Sequence, residues 1–399
     1  MPVNTPSLLT INGGSSSIRF ALFSTDQEPR RLHSGRIERI GLPGTTLHAS
    51  GPGGGDPETL SLPTADHAAA TAVLLDWLVA RLEGGVPVAV GHRVVHGGPE
   101  FSAPQAITTA VLAKLRALGE LDPEHLPLEL LIIDAIRARY PDVAQWACFD
   151  TAFHHDLPRV ARVLPIPRRY EAAGVRRFGF HGLSYEFLLG ELARLNRGEV
   201  ANGRLVLAHL GNGSSMAAVH RGQSIDTTMA FTPAAGLPMS TRSGDLDPGL
   251  GSYLARIEGM TAAQFSRMTN FESGLLGISE TSSDMRDLLE REATDLRAQE
   301  AVALYCYEIK KQLGAYAAAL GGLDTLVFTG GIGENAPLVR ERVCEGLSFL
   351  GIVLDPRRNA VNATLISPDS ARVRVRVIAT DEELVIARSL NSAVRRVRV

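Results

Sequence analysis

Lysine is nearly missing from this chain of 399 residues: of its forty basic residues only Lys114, Lys310 and Lys311 are lysine, and none is followed by Ser or Thr. A P-loop of the form G-x-x-x-x-G-K-[ST] is thereby excluded, so any phosphate bound here must meet arginines and backbone amides. The three cysteines, Cys148, Cys306 and Cys344, are odd in number and show no Cys-x-x-Cys spacing. That argues against a disulfide framework or a structural zinc site and leaves them as core thiols. No apolar run reaches the roughly eighteen residues of a membrane span, and no basic stretch followed by a long apolar one opens the chain. The expectation is a cytoplasmic protein with no membrane partner. A net charge of −3 gives no reason to expect nucleic acid either. Also missing are a G-x-S-x-G elbow, an H-E-x-x-H helix and a cysteine nucleophile motif, which removes the common hydrolase signatures.

What is present is glycine in the right places. Asn12-Gly13-Gly14-Ser15-Ser16-Ser17 and Gly330-Gly331-Ile332-Gly333-Glu334-Asn335 each follow an apolar run and read as tight turns leaving buried strands. At such turns the backbone can approach a phosphate closely, with successive N–H groups as donors. Two distant turns of this kind point to one nucleotide held between two halves, and the length suffices for two domains. Strands are expected at 8–11, 18–23, 34–40, 86–90, 144–149, 205–209, 216–220, 326–329 and 373–378. Helices are expected at 67–82, 109–118, 128–140, 248–258, 261–270, 283–292, 294–320 and 383–394. The Gly/Pro-rich stretch 41–57 reads as an exposed loop. The strand–Gly/Asn/Ser–strand pattern at 11–23 recurs at 205–220, which makes a duplicated architecture plausible.

Several short segments offer chemistry. His92 and His96 are four apart, but the intervening Val94-Val95 favours a strand and no Glu completes a zinc-peptidase helix. Arg93 lies just past a strand end and before Gly97-Gly98, where α/β sheets present ligands; a surface salt bridge is the alternative. Asp150 immediately follows the strand at 144–149. His181 sits between small residues, and His125 in a turn set by prolines; a single loop histidine is usually incidental, and either alone reads more readily that way. The loop from Ser240 to Gly249 supplies Arg242, Asp245, Asp247 and hydroxyls, suited to an anionic ligand and a hydrated cation. Arg, His, Asp, Asn and Gly together fit phosphoryl transfer, in which a protein mainly positions reactants and neutralises charge.

In order along the chain, the segments 12–17, 92–98, 149–154, 178–182, 209–214, 241–248, 330–335 and 380–387 resemble those of the acetate kinase family. The resemblance implies the α/β duplicated actin-like fold shared with sugar kinases and heat-shock chaperones, two domains with an active-site cleft between them. The expected division is 1–150, with the terminal helix 383–399 packing back on it, and 151–382, carrying most of the nucleotide site. It implies reversible, direct in-line transfer from ATP to acetate, giving acetyl phosphate and ADP, with Mg2+ or Mn2+ as cofactor, by a homodimer. Propionate or butyrate kinase is the alternative on the same fold. More distant are a regulatory nucleotide-binding protein and a metal hydrolase.

By the same resemblance, Asn12 and Glu382 lie at the metal, and Asp150, His181 and Arg242 are catalytic. Arg93, Val95, Phe180 and Pro233 bind the carboxylate substrate. Arg19, His209, Leu210, Gly211, Asn212, Gly213, Asp284, Met285, Arg286, Gly331, Ile332, Gly333, Glu334 and Asn335 hold the nucleotide. The chain departs from the family pattern at Arg19, where Lys is usual, and at Pro123-Glu124-His125-Leu126-Pro127, Tyr185 and Ser240. Glu124 is expected near the acyl pocket, where a carboxylate facing a carboxylate is unfavourable unless paired. Either it turns outward or substrate preference changes.

Overall fold

The computed structural model of the chain describes residues 6–14, 16–51, 58–63, 66–82 and 86–397. The chain divides into two compact units, Met1–Phe153 with Asp381–Val399, and His154–Thr380. Glu382, placed by sequence in the second domain, therefore belongs to the first.

The first unit is built on an eight-stranded sheet of order β5-β4-β3-β2-β1-β6-β8-β7, comprising β1 (Ser7–Gly13), β2 (Ser17–Ser24), β3 (Arg31–Glu38), β4 (Thr46–Ser50), β5 (Glu58–Ser61), β6 (Ala89–Val94), β7 (Gln105–Ala106) and β8 (Ala144–Phe149). The second contains a five-stranded sheet of order β11-β10-β9-β12-β13, from β9 (Arg204–Leu210), β10 (Ser214–His220), β11 (Gln223–Thr227), β12 (Thr325–Thr329) and β13 (Arg374–Val377). In each, a central strand, β1 or β9, carries two antiparallel strands on one side. On its other side run two parallel strands, β6 and β8 or β12 and β13. The repeated order is the duplicated actin-like α/β architecture. It also fixes where chemistry can be displayed, at the carboxyl ends of the parallel strands.

Apolar burial explains the layers. Helices His67–Val79 and Leu126–Arg139 bring Leu74, Leu78, Ile132 and Ile136 onto Leu9, Ile11, Phe20 and Val90 of the sheet. The terminal helix Glu382–Val397 places Ala387 and Leu390 against Leu8, Ala21, Phe23 and Ala89. In the second unit the long helix Leu296–Ala319 buries Val302, Tyr305, Ile309 and Leu313 in one cluster with Val206, Ala208, Leu326 and Phe328. All three cysteines are buried.

Two local readings are corrected. The expected loop at 41–57 contains β4, whose alternation buries Leu47 and Ala49 and pairs antiparallel with β3; residues 52–57 lie outside the described residues. Flanking glycine and proline hid a period-two pattern only five residues long. The segment read as a tight turn after β12 is a short helix, Gly330–Asn335, and helices Gly182–Leu195 and Pro337–Cys344 were not anticipated. Among the described residues no helix is long and apolar enough to cross a membrane.

Candidate active site

In the first unit, β1, β6 and β8 end side by side and deliver Asn12, Arg93 and Asp150. Arg93 donates from Nε and Nη2 to one oxygen of Asp150, at 3.0 and 2.5 Å, and from Nη1 to Asn12 Oδ1 at 3.2 Å. Asn12 Nδ2 donates to Glu382 Oε2 at 3.0 Å, and that oxygen lies 3.9 Å from Arg93 Nε. Asp150 is fully buried, and its other oxygen, Oδ1, has no hydrogen-bond partner among the described residues. Burial works against the charge on Arg93, but Asp150 and Glu382 more than restore it, holding the guanidinium firmly ionised. Burial pushes the Glu382 carboxyl up to about 7 against the pull of Arg93.

Beneath this group lies Glu129, buried on the helix Leu126–Arg139, with both carboxyl oxygens accepting from Val95 N at 3.2 and 3.0 Å. Burial raises its pKa to about 8, although Arg93 and the Val95 N–H pull the other way. Sequence reasoning passed over it; the available signal was one acid among the leucines and isoleucines of that helix. Glu124, in contrast, is exposed, and Leu126 is wholly buried beside Val94 and Phe149. His92 is committed to Gln145, with Nε2 at 2.7 Å from Oε1. Arg19 is exposed on β2, opposite Asn12 in the ladder, and its charge acts on Glu382. It thus sits in the first unit, apart in the chain's organisation from the other nucleotide candidates.

In the second unit, His181 has the left-handed conformation, φ 59°, at the start of helix Gly182–Leu195. Non-glycine residues reach that region at a cost, and here the surroundings enforce it. Preceding Gly179, at φ 75°, leaves no room for a side chain, since a Cβ would lie 2.5 Å from His154 Cδ2. His154, buried and held neutral by burial with its pKa near 3, places Nε2 at 3.1 Å from Phe180 O and Nδ1 at 2.7 Å from Ser224 Oγ. His181 Nδ1 lies 2.8 Å from Ser215 Oγ, which is 2.5 Å from Tyr185 Oη. The His181 ring stacks on His209 at 4.2 Å between centroids, and His209 Nδ1 is 2.9 Å from Ser184 Oγ. Ser184 and Ser215 were not singled out by sequence.

Arg242 joins this group. A Cβ built on Gly213 would lie 3.3 Å from His181 Nε2 and 3.6 Å from Arg242 Nη1, so three sequence-distant residues border one small space. Arg242 Nη1 donates to Pro233 O at 3.4 Å, and its loop is tied by Met239 N to Arg242 O at 3.0 Å and Ser240 N to Asn212 O at 3.3 Å. The two aspartates of this loop accept from the backbone, Asp245 from Gly236 N and Asp247 from Gly249 N, at 2.8 and 2.6 Å. Through these bonds they shape the loop.

The nucleotide candidates fall into two sets. Gly211 and Gly331 approach each other at the carboxyl ends of β9 and β12, where a Gly211 Cβ would lie 3.6 Å from Gly331 N. Gly330, at φ 77°, admits no Cβ because Leu210 O would be 2.6 Å from it, while nothing lies within 4 Å of a Cβ at Gly331. Leu210 and Met285 are core residues, Ile332 packs on that core, and Gly333 is buried, so only their backbones are available. Asn212 is exposed. Asn335 Nδ2 donates to Gly331 O at 3.0 Å. Asp284 caps helix Met285–Arg291 through Arg286 N and takes the Arg286 guanidinium at 3.1 and 2.6 Å. Val95 and Phe180 are buried, and Pro233 is half-buried. Arg340, also unforeseen, is completely buried; it donates to Gly333 O and Glu334 O at 2.8 and 3.0 Å and to Asn359 and Asn362.

A family model for the acetokinase family matches residues 7–388. The acetate kinase of Rhodopseudomonas palustris (strain TIE-1) is 47% identical over 386 residues, 96% of each chain. The propionate kinase of Citrobacter rodentium (strain ICC168) is 44% identical over 395 residues, again 96% of each. The crystal structure of Porphyromonas gingivalis acetate kinase superposes with a TM-score of 0.87 at 38% identity, covering 98% of this chain and all of that one (100%). With the family model spanning almost its whole length, the chain belongs to the acetokinase family.

Proposed function

We propose that this protein transfers a phosphoryl group between ATP and acetate, yielding acetyl phosphate and ADP, and runs the reaction in both directions. The observation that carries this reading is the pairing of Arg242 with His181 around the space beside Gly213. Two nitrogen-bearing side chains there suit the charge that develops on transferring oxygens. An acetate oxygen forms the new bond to phosphorus as the bond to the ADP oxygen breaks, in line. Acetate is already ionised at neutral pH, so no residue need remove a proton. Asp150, with one oxygen spent on Arg93, serves to orient that guanidinium for the substrate's carboxylate.

Asn12, Glu382 and the partnerless Asp150 Oδ1 form an oxygen-rich set suited to a hard divalent cation, directly or through its water. Bound magnesium would supply charge neutralisation on the phosphates. Gly211 and Gly331 present backbone to the nucleotide, and Asp284 and Arg286 belong to the same unit. A homodimer is supported by the helices Gly249–Glu258 and Ala262–Phe271, which bury no residue and leave Tyr253, Ile257 and Phe271 exposed. Light scattering that returned only the 42.7 kDa monomer would count against it. We place the enzyme in the cytoplasm, where ATP is held; export to the medium on fractionation would exclude this.

Propionate is the second acceptor to consider, favoured by the 44% identity to a propionate kinase. Trapping the acyl phosphate with hydroxylamine across acetate, propionate and butyrate decides among them. Acetate is expected to give the highest kcat/KM, and ATP consumption indifferent to any carboxylate would refute the reading.

A further inference from the structure

Glu334 lies within the segment that presents Gly331, yet its carboxylate is engaged by the protein itself. One oxygen, Oε1, accepts from Thr329 Oγ1 at 3.2 Å, Gly330 N at 2.9 Å and Thr380 N at 3.2 Å. Thr329 ends β12, Gly330 begins the following short helix, and Thr380 follows the neighbouring parallel strand β13. The carboxylate is therefore a strut across the carboxyl ends of two adjacent strands. Its own backbone carbonyl is held in turn by Arg340 Nη1 at 3.0 Å. Three donors converging on one charged oxygen make a stronger brace than neutral bonds would.

The consequence falls on the backbone. With Gly330 fixed against Leu210 O, the next residue, Gly331, faces open space. We propose that Glu334 is a positioning residue for the nucleotide: it sets the Gly330–Gly331 backbone and does not itself touch ATP. This rests on the nucleotide reading given above, and reassigns a residue expected to be a nucleotide contact.

Calorimetric titration of the full-length protein with ATP, 2′-deoxy-ATP and ITP, without acetate, tests this. Glu334→Ala should weaken ATP binding roughly tenfold or more by removing the shared acceptor. Glu334→Gln, whose amide oxygen can take the same place, should stay within about threefold of wild type. In both variants the ratios among the three nucleotides should match those of wild type, since the brace reads neither sugar nor base. An altered ratio would make Glu334 a direct contact and overturn the proposal, as would unchanged ATP affinity in Glu334→Ala. Should that variant not fold, Thr329→Val removes a single donor and is expected to weaken ATP by about twofold with ratios preserved; unchanged affinity there overturns the proposal too. A wild type that binds no ATP would defeat both readings. Position-sensitive ATP binding without acetate turnover would defeat the proposed reaction and leave the Glu334 assignment standing.

Discussion

Arg93 and Arg242 are anchored differently, and the difference assigns their work. Arg93 is locked by the buried Asp150, whereas Arg242 is held by the Pro233 carbonyl beside His181. If Arg242 neutralises the transferring phosphoryl group, Arg242→Ala lowers kcat by roughly 10³-fold; a change confined to KM would contradict that role. Glu382→Ala should raise the magnesium concentration needed for half-maximal rate, and an unchanged titration would remove Glu382 from the metal site. Glu129 makes a claim about stability. Its pKa is raised from 4.5 to about 8, so the folded protein keeps a proton that the unfolded chain loses across that interval. Stability from this group is therefore complete below pH 4.5 and declines as pH rises toward 8, by up to about 1.4 kcal/mol per unit. Glu129→Gln, which can still accept from Val95 N, should flatten that decline in urea unfolding at pH 5 through 8; an unchanged slope would show that the proton is not held there. Arg93 and Asp150 were legible because each closes an apolar strand run. Glu129 was not, because its significance depends on which strand its helix packs against.

At the scale of elements, strand ends and the turns after them do the positioning. β9 stops at Leu210, and the Gly211–Gly213 turn that follows meets both His181 and Arg242. Gly213→Ala is the sharpest probe of that arrangement. Its methyl would fit at 3.3 to 3.6 Å from His181 and Arg242, tight but without a backbone clash. The expected result is a fall in kcat of about tenfold or more with thermal stability nearly unchanged, since only the space offered to the reacting group is lost. Equal loss of stability and activity would show that the glycine serves folding instead. The long helices and the buried strands were readable from periodicity, because one face of each is continuously apolar. The helix Gly330–Asn335 was not, since glycine at half its positions gives no propensity for it and the Glu334 contact to Thr380 that helps hold it is long-range.

For the whole molecule, the repeated strand order explains why the chemistry comes in two sets. Each unit presents candidate residues where its central strand and the adjacent parallel strand end: Asn12 and Arg93 in one, His209 and the Gly330–Gly331 helix start in the other. The recurrence of a strand–Gly/Asn/Ser–strand pattern at 11–23 and 205–220 made this duplication visible in the sequence, though β4, β5 and β7, which the second sheet lacks, were not. Short edge strands bury little and leave a weak signal. The account as a whole stands on carboxylate-dependent phosphoryl transfer. Purified protein with ATP, magnesium and acetate, trapped with hydroxylamine, should yield acetohydroxamate in amounts equal to the ADP formed, and both should vanish in Arg242→Ala. ADP released equally without acetate, or with no hydroxamate trapped, would contradict it.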